Sequence, residues 1–304
     1  MATVYVDHSG TRIRLQSGSL VLESPAGRRT VPARLLRRLV ITAKSELDSG
    51  TLNRLAEAGI AVVLLDPHRC RRRALVLGGH QPDAGLRLAQ YRAAQDTAFR
   101  LEIARALVRA KLQRQLRWLA SSSCPSCDAA RRRLQGILTR LDGMADPAGL
   151  RGLEGSAGRA FFAAYRRLFP DHLGFDGRRR RPPPDPVNAC LSLGYALLHS
   201  RAVQAAWSAG LDPMIGFYHE PAWGRESLAC DLIEPWRPCI ERWVAGWFGQ
   251  RWLEAGHFSR QGDSVRLGKA GRQRFFGAFE KGMPPVERSL RRQIRHLIQR
   301  LERL

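Results

Sequence analysis

Hydrophobic and polar positions alternate in short runs along the first part of the chain. Val4-Tyr5-Val6, Arg12-Ile13-Arg14-Leu15 and Ser19-Leu20-Val21-Leu22 are set apart by Gly10, Gly18, Pro25 and Gly27. A period of two punctuated by turn formers predicts small β-strands. Ser49 to Ala58 reads as a short helix that leads through Gly59 into the apolar run Ile60-Ala61-Val62-Val63-Leu64-Leu65, a buried strand, with Ala74-Leu75-Val76-Leu77 as one more. From about Leu86 the period changes. Leu88, Tyr91, Ala94, Phe99, Ile103, Ala106, Leu107 and Ala110 recur three or four residues apart without a proline, which predicts one long amphipathic helix. Further helices are expected at 128–142, 151–169, 187–209, 232–254 and 286–303, separated by Gly and Pro. The fold class is therefore α+β: a small β-rich N-terminal domain over residues 1–82, followed by a larger all-helical domain over 86–304.

Composition adds a partner to this outline. The 304 residues are 44% hydrophobic, enough for a packed core, but 50 Lys and Arg stand against 27 Asp and Glu, a net charge of +23. Polyanions are the natural partners, and the strong bias to Arg suits phosphate, which a guanidinium grips with two parallel hydrogen bonds. A GC-rich genome also enriches Arg; it does not explain the shortage of acid. The start, MATVYVDHSGTRIRL, lacks the pattern of a secretory signal, and no run reaches about 18 uninterrupted apolar residues, so a cytoplasmic protein with no membrane contact is expected. Cysteines at 70, 124, 127, 190, 230 and 239 lie mostly alone in apolar segments, as reduced core thiols do. Cys124-Pro125-Ser126-Cys127 offers two ligands where a structural zinc needs four. Gly177, the run Arg178, Arg179, Arg180 and Arg181, and Pro182-Pro183-Pro184-Asp185-Pro186 read as an exposed loop feeding a stiff segment. Those four arginines are either a solvated connection or a DNA contact.

Three segments carry the candidate chemistry: Leu153-Glu154-Gly155-Ser156-Ala157-Gly158, Gly216-Phe217-Tyr218-His219, and Ser227 to Glu234 with Asp231 and Glu234. Glu154 lies among small residues that leave room for a substrate. Asp231 and Glu234, three apart, share a helix face where like charges repel unless a cation sits between them. The same pair also suits helix capping, since acids and Pro235 are favoured in a first turn. A lone His such as His219 is more often a hydrogen-bonded structural residue than a ligand. Together the set offers one imidazole and two or three carboxylates, donors suited to Mn²⁺ or Mg²⁺ rather than to a thiolate zinc site.

These segments, in this order, resemble the CRISPR-associated integrase family of spacer acquisition (Cas one). The likeness runs through Leu153 to Arg159, Pro186-Val187-Asn188 to Leu198, Ala209-Gly210 to His219 and Ser227 to Pro238, and extends to the N-terminal strands and to Val265 to Arg272. The resemblance implies a helical catalytic domain with Glu154, His219 and Glu234 as ligands of Mg²⁺ or Mn²⁺, and with Asp231 beside them. Which of Asp231 and Glu234 binds metal directly is left open. It further implies homodimers, with the N-terminal domain as the expected dimerisation surface, joined to a small ferredoxin-like companion protein. The implied reaction inserts a short DNA fragment into a CRISPR repeat by transesterification of double-stranded DNA, with Arg225, after Gly224, as a phosphate contact. A transposon-type integrase or a structure-specific nuclease would use the same chemistry on other DNA. A non-catalytic DNA-binding scaffold, motivated by Arg291, Arg292, Arg295, Arg300 and Arg303 on the last helix, leaves the Glu, His and acid set unexplained.

Overall fold

The computed structural model describes residues 2–66, 71–78, 83–121, 125–179 and 182–304. Two four-stranded sheets form the N-terminal part. One contains β1 (Ala2–Val6), β5 (Leu36–Ile41), β7 (Ala61–Asp66) and β8 (Arg71–Val76) in that order, the first three parallel and β8 antiparallel to β7. The other is ordered β4 (Gly27–Pro32), β3 (Ser19–Ser24), β2 (Thr11–Gln16) and β6 (Ser45–Leu47). Between them, Val4, Ile13, Leu20, Leu39, Ile60 and Val62 form a core with Leu55 of α1 (Ser49–Glu57), a helix capped by the Asp48 carboxylate, which accepts from Thr51 N.

The residues that alternate with this set face the other way. Val40, Val63 and Leu65 belong to the core of the helical part, so the first sheet is buried on both faces. This double burial accounts for the apolar run Ile60 to Val63 and for Leu65; Leu64 within it is exposed.

The helical part comprises α2 (Ala84–Gln95), α3 (Thr97–Ala120), α4 (Pro125–Arg140), α5 (Pro147–Arg166), α6 (Pro186–Ser208), α7 (Ser227–Ile233), α8 (Arg237–Gly249) and α9 (Lys269–Leu301). Helix α6 is buried on nearly every side and forms the axis of the fold. Three expectations need correction. The long helix expected from Leu86 is two helices: Asp96 ends α2, and its carboxylate accepts from Ala98 N and Phe99 N to start α3. The C-terminal part is not all helical, because Phe258–Gln261 (β9) and Ser264–Leu267 (β10) pair as an antiparallel hairpin that turns at Gly262 (φ +55°) and buries Val265 and Leu267. The last helix begins at Lys269 and runs through Pro284 and Pro285, held by the buried stripe of Phe275, Phe279, Met283, Val286 and Leu290. No helix among the described residues is long and apolar enough to cross a membrane.

Charged groups stitch the sheet to the helices. Tyr5 stacks on Phe276 with ring centroids 4.0 Å apart, and its hydroxyl donates to Glu280 at 2.6 Å. Arg38, buried on β5, donates to Glu287 of α9 at 2.7 Å; Arg201 of α6 donates to both Glu280 and Glu287. Burial alone would push the Glu287 carboxyl up, but Arg38 and Arg201 hold it below the ordinary carboxylate range.

Candidate active site

The site forms where α3, α5, the segment 216–219 and the end of α7 meet. Glu154 projects from α5, whose start is fixed by Pro147 and by the Asp146 carboxylate, which accepts from Gly149 N at 2.7 Å. Gly216 admits the close approach on which the His219 segment depends. A Cβ there would meet Asp231 Oδ2 at 2.8 Å and the Ser227 carbonyl carbon at 2.7 Å.

Asp231, buried on α7, builds that segment. Its Oδ2 accepts from Phe217 N at 2.6 Å and Tyr218 N at 3.0 Å, and its Oδ1 from His219 N at 2.9 Å. Three successive amides close around one carboxylate, a small anion nest. The His219 ring also places Nδ1 2.7 Å from Asp231 Oδ1, an acceptor that calls for a proton on Nδ1, and Nε2 lies 3.9 Å from Glu234 Oε1. Both oxygens of Asp231 are therefore engaged by the fold. It caps a neighbouring loop rather than its own helix, and Glu234 opens the next short turn, Glu234–Trp236.

The two remaining carboxylates converge on one cation. Lys111 of α3 donates from Nζ to Glu154 Oε1 and, at 2.9 Å, to Glu234 Oε2. Arg237 lies 3.0 Å from Glu234 Oε1, and the Tyr218 hydroxyl donates to Glu154 Oε2 at 3.4 Å. Burial would raise the Glu234 carboxyl, yet Arg237 and Lys111 hold it down at about 2. Burial opposes the Lys111 charge as well, but Glu234 and Glu154 outweigh it and the ammonium is stabilised. Desolvation and Glu154 push the Tyr218 phenol up, so it remains a donor.

Among the described residues no three His, Cys, Asp or Glu side chains stand in ligating geometry. The ammonium of Lys111 takes the place between Glu154 and Glu234 that a divalent ion would need. The donors nevertheless suit such an ion. Two carboxylates already bridge a single positive charge beside an imidazole whose Nε2 faces them, an oxygen-rich mixed set of the kind Mg²⁺ or Mn²⁺ prefers.

The predicted arginines lie elsewhere. Arg225 sits at the rim, where its guanidinium donates to the Glu220 carbonyl and, from Nε at 3.4 Å, to Ser227 Oγ. Arg178 turns inward, donating to Asn188 Oδ1 at 2.8 Å and Ser192 Oγ at 3.1 Å, with its guanidinium over the Tyr195 ring. Arg179 is largely exposed near Asp176, whereas Arg180 and Arg181, like Cys124, lie outside the described residues. Sequence reasoning missed Lys111, Tyr218 and Arg237. A signal for Lys111 existed: it is one of four lysines in an arginine-rich chain, at a place where a compact ammonium fits between two carboxylates and a broad guanidinium does not.

Comparison with known proteins gives the family and the fold. The family model described as CRISPR associated protein Cas1 matches residues 4–281. A CRISPR-associated endonuclease Cas1 of Thermodesulfovibrio yellowstonii is 33% identical over 293 residues, covering 92% of this chain and 91% of that protein. One from Thermus thermophilus is 34% identical over 285 residues, covering 92% and 86%. In structure, a Cas1 protein from Thermotoga maritima superposes with a TM-score of 0.87 at 21% identity, covering 99% of this chain and 97% of that one. A casposase bound to its integration product also gives 0.87 at 21% identity, covering 99% and 90%. The order of the segments, the site they assemble and these matches lead to one statement: the chain belongs to the Cas1 family of CRISPR-associated endonucleases and integrases.

Proposed function

We propose that the protein is a metal-dependent DNA integrase that inserts short double-stranded fragments into a CRISPR repeat by transesterification, and cuts branched DNA when water replaces the attacking 3′-hydroxyl. The observation that carries this reading is the convergence of Glu154 and Glu234 on one cation beside His219 Nε2. These three residues would hold Mg²⁺ or Mn²⁺. When bound, the ion supplies Lewis-acid stabilisation of the charge that develops on the scissile phosphate. Asp231 fixes the ring of His219 and directs Nε2 inward. The Tyr218 hydroxyl steadies Glu154, and Arg237 keeps Glu234 ionised. Lys111 balances the charge of the two carboxylates. The basic surface supplies affinity through phosphate contacts, with Arg225 at the rim of the site.

Two solved structures of this fold are described as a TtCas1-DNA complex and a Cas6-RT-Cas1–Cas2 complex. On that support we assign this chain DNA as substrate; the homodimer as its working form and the small ferredoxin-like companion are proposed from the family resemblance alone. The likeness to a casposase favours one other reading, a transposon-type integrase using the same site on different target DNA. The test is strand transfer on a supercoiled plasmid carrying a CRISPR repeat, with short duplex, Mn²⁺ or Mg²⁺ and the companion. Cation-dependent joined product at the repeat is expected. Joining without preference for the repeat supports the transposon reading, and metal-dependent cutting without joining supports a nuclease.

Asp231→Asn is expected to slow joining about 10- to 100-fold, because its amide sets a donor against the backbone N–H groups of 217–219 and loosens His219. Single-turnover rates across pH check this: a changed profile with DNA affinity retained is expected, whereas an unchanged rate would remove Asp231 from the machinery.

A further inference from the structure

Between His219 and α7 the chain makes a tight turn whose tip carries Trp223. Its relative exposure is 104%, as open as in an extended peptide, so the indole contributes nothing to the core. The turn beneath it is well braced. Arg225 N donates to the Ala222 carbonyl at 3.0 Å, Gly224 supplies the left-handed φ of +64° that closes the turn, and Ser227 Oγ donates to the Glu220 carbonyl at 3.0 Å. Around its base stand three arginines. The Arg225 guanidinium donates to the Glu220 carbonyl, while Arg151 and Arg100 lie 3.3 and 3.8 Å from the Glu220 carboxylate. Three guanidinium groups against one carboxylate leave the rim positive.

A large apolar ring standing in water on a braced turn, beside a cationic rim, suits an occupant with an exposed π-face and negative charge. A nucleobase next to its own phosphate supplies both. In continuous duplex each base hides its faces in the stack; only at an end, nick or branch does one become available. We propose that Trp223 is a stacking platform for a base unstacked at the reacting end or branch, holding that junction against the site four residues away at His219. This deepens the proposed function and rests on it: the platform makes the protein prefer ends and branches over continuous duplex, a preference the carboxylates and imidazole do not provide.

The experiment compares wild type with Trp223→Ala and Trp223→Phe, using branched DNA that carries 2-aminopurine at the branch and, as the continuous duplex, a closed circle without ends. Wild type should quench the branch 2-aminopurine on binding. Trp223→Ala should lose that quenching and bind branched DNA about tenfold more weakly, with the closed circle unaffected, while Trp223→Phe retains most of both. Branch binding by Trp223→Ala equal to wild type, an equal loss on the closed circle, or no rescue by phenylalanine overturns the platform. Joining and cutting by wild type are measured in the same preparation. Their absence tells against the proposed function, whereas the quenching comparison reads stacking alone.

Discussion

Glu234→Ala is expected to reduce DNA joining about 10³-fold, the scale of losing electrostatic stabilisation at a reacting phosphate. Glu234 is the most enclosed of the three candidate ligands, and it is held ionised by Arg237 and Lys111. Removing it leaves those two cations facing each other, so part of the effect will be structural. Glu154→Gln separates the contributions, because Glu154 is more open to solvent and its loss disturbs less charge. Thermal melting with and without Mn²⁺ supplies a second readout. Wild type should gain stability from the ion, and both variants should lose most of that gain. Joining at the wild-type rate by either variant, with the Mn²⁺ effect intact, would remove that residue from the metal site.

The second large effect concerns stability. Glu287→Ala is expected to cost about 3–5 kcal/mol, because it strands the buried Arg38 and leaves Arg201 to Glu280 alone. Burial and the charge of Arg201 already depress Arg38 to about 10, a sign of how little the two guanidinium groups tolerate each other. A melting temperature lower by about 10 °C is the expected reading. Arg291→Ala, at an exposed position nearby, should shift it little. The effect has a pH signature. Since the folded Glu287 carboxyl lies below its ordinary range, its stabilisation is complete above that range and fades as pH falls through the lowered value. The gap between wild type and Glu287→Ala should therefore narrow in acid; a gap independent of pH would place the loss in packing instead.

Local patterning made some features legible and left others hidden. The run Ile60 to Leu65 announces a buried strand because both faces of its sheet are covered everywhere but at the exposed Leu64. Strand β4 escapes notice for the opposite reason: it is an edge strand whose Arg28, Arg29 and Thr30 are exposed, and it carries no apolar alternation. The break at Asp96 is masked because the helical period continues on both sides of it. The candidate ligands were legible as sequence blocks, but spacing alone left Asp231 and Glu234 equivalent. The amides of Phe217, Tyr218 and His219 distinguish them, and that contact spans a turn no periodicity records. Lys111 reaches partners 43 and 123 residues away, a distance at which pattern carries no information.

The sheet of β1, β5, β7 and β8 has a consequence for how the chain comes apart. A sandwich with its own sealed core could be cut from its neighbour and survive. Here, however, Val40, Val63 and Leu65 are as much the floor of the helical part as the wall of the strand-rich one. Residues 1–82 expressed alone would present a bare apolar sheet face to water, the surface from which aggregation begins. The two parts should therefore melt in a single cooperative transition, and a substrate gripped by one would be felt as added stability by the other.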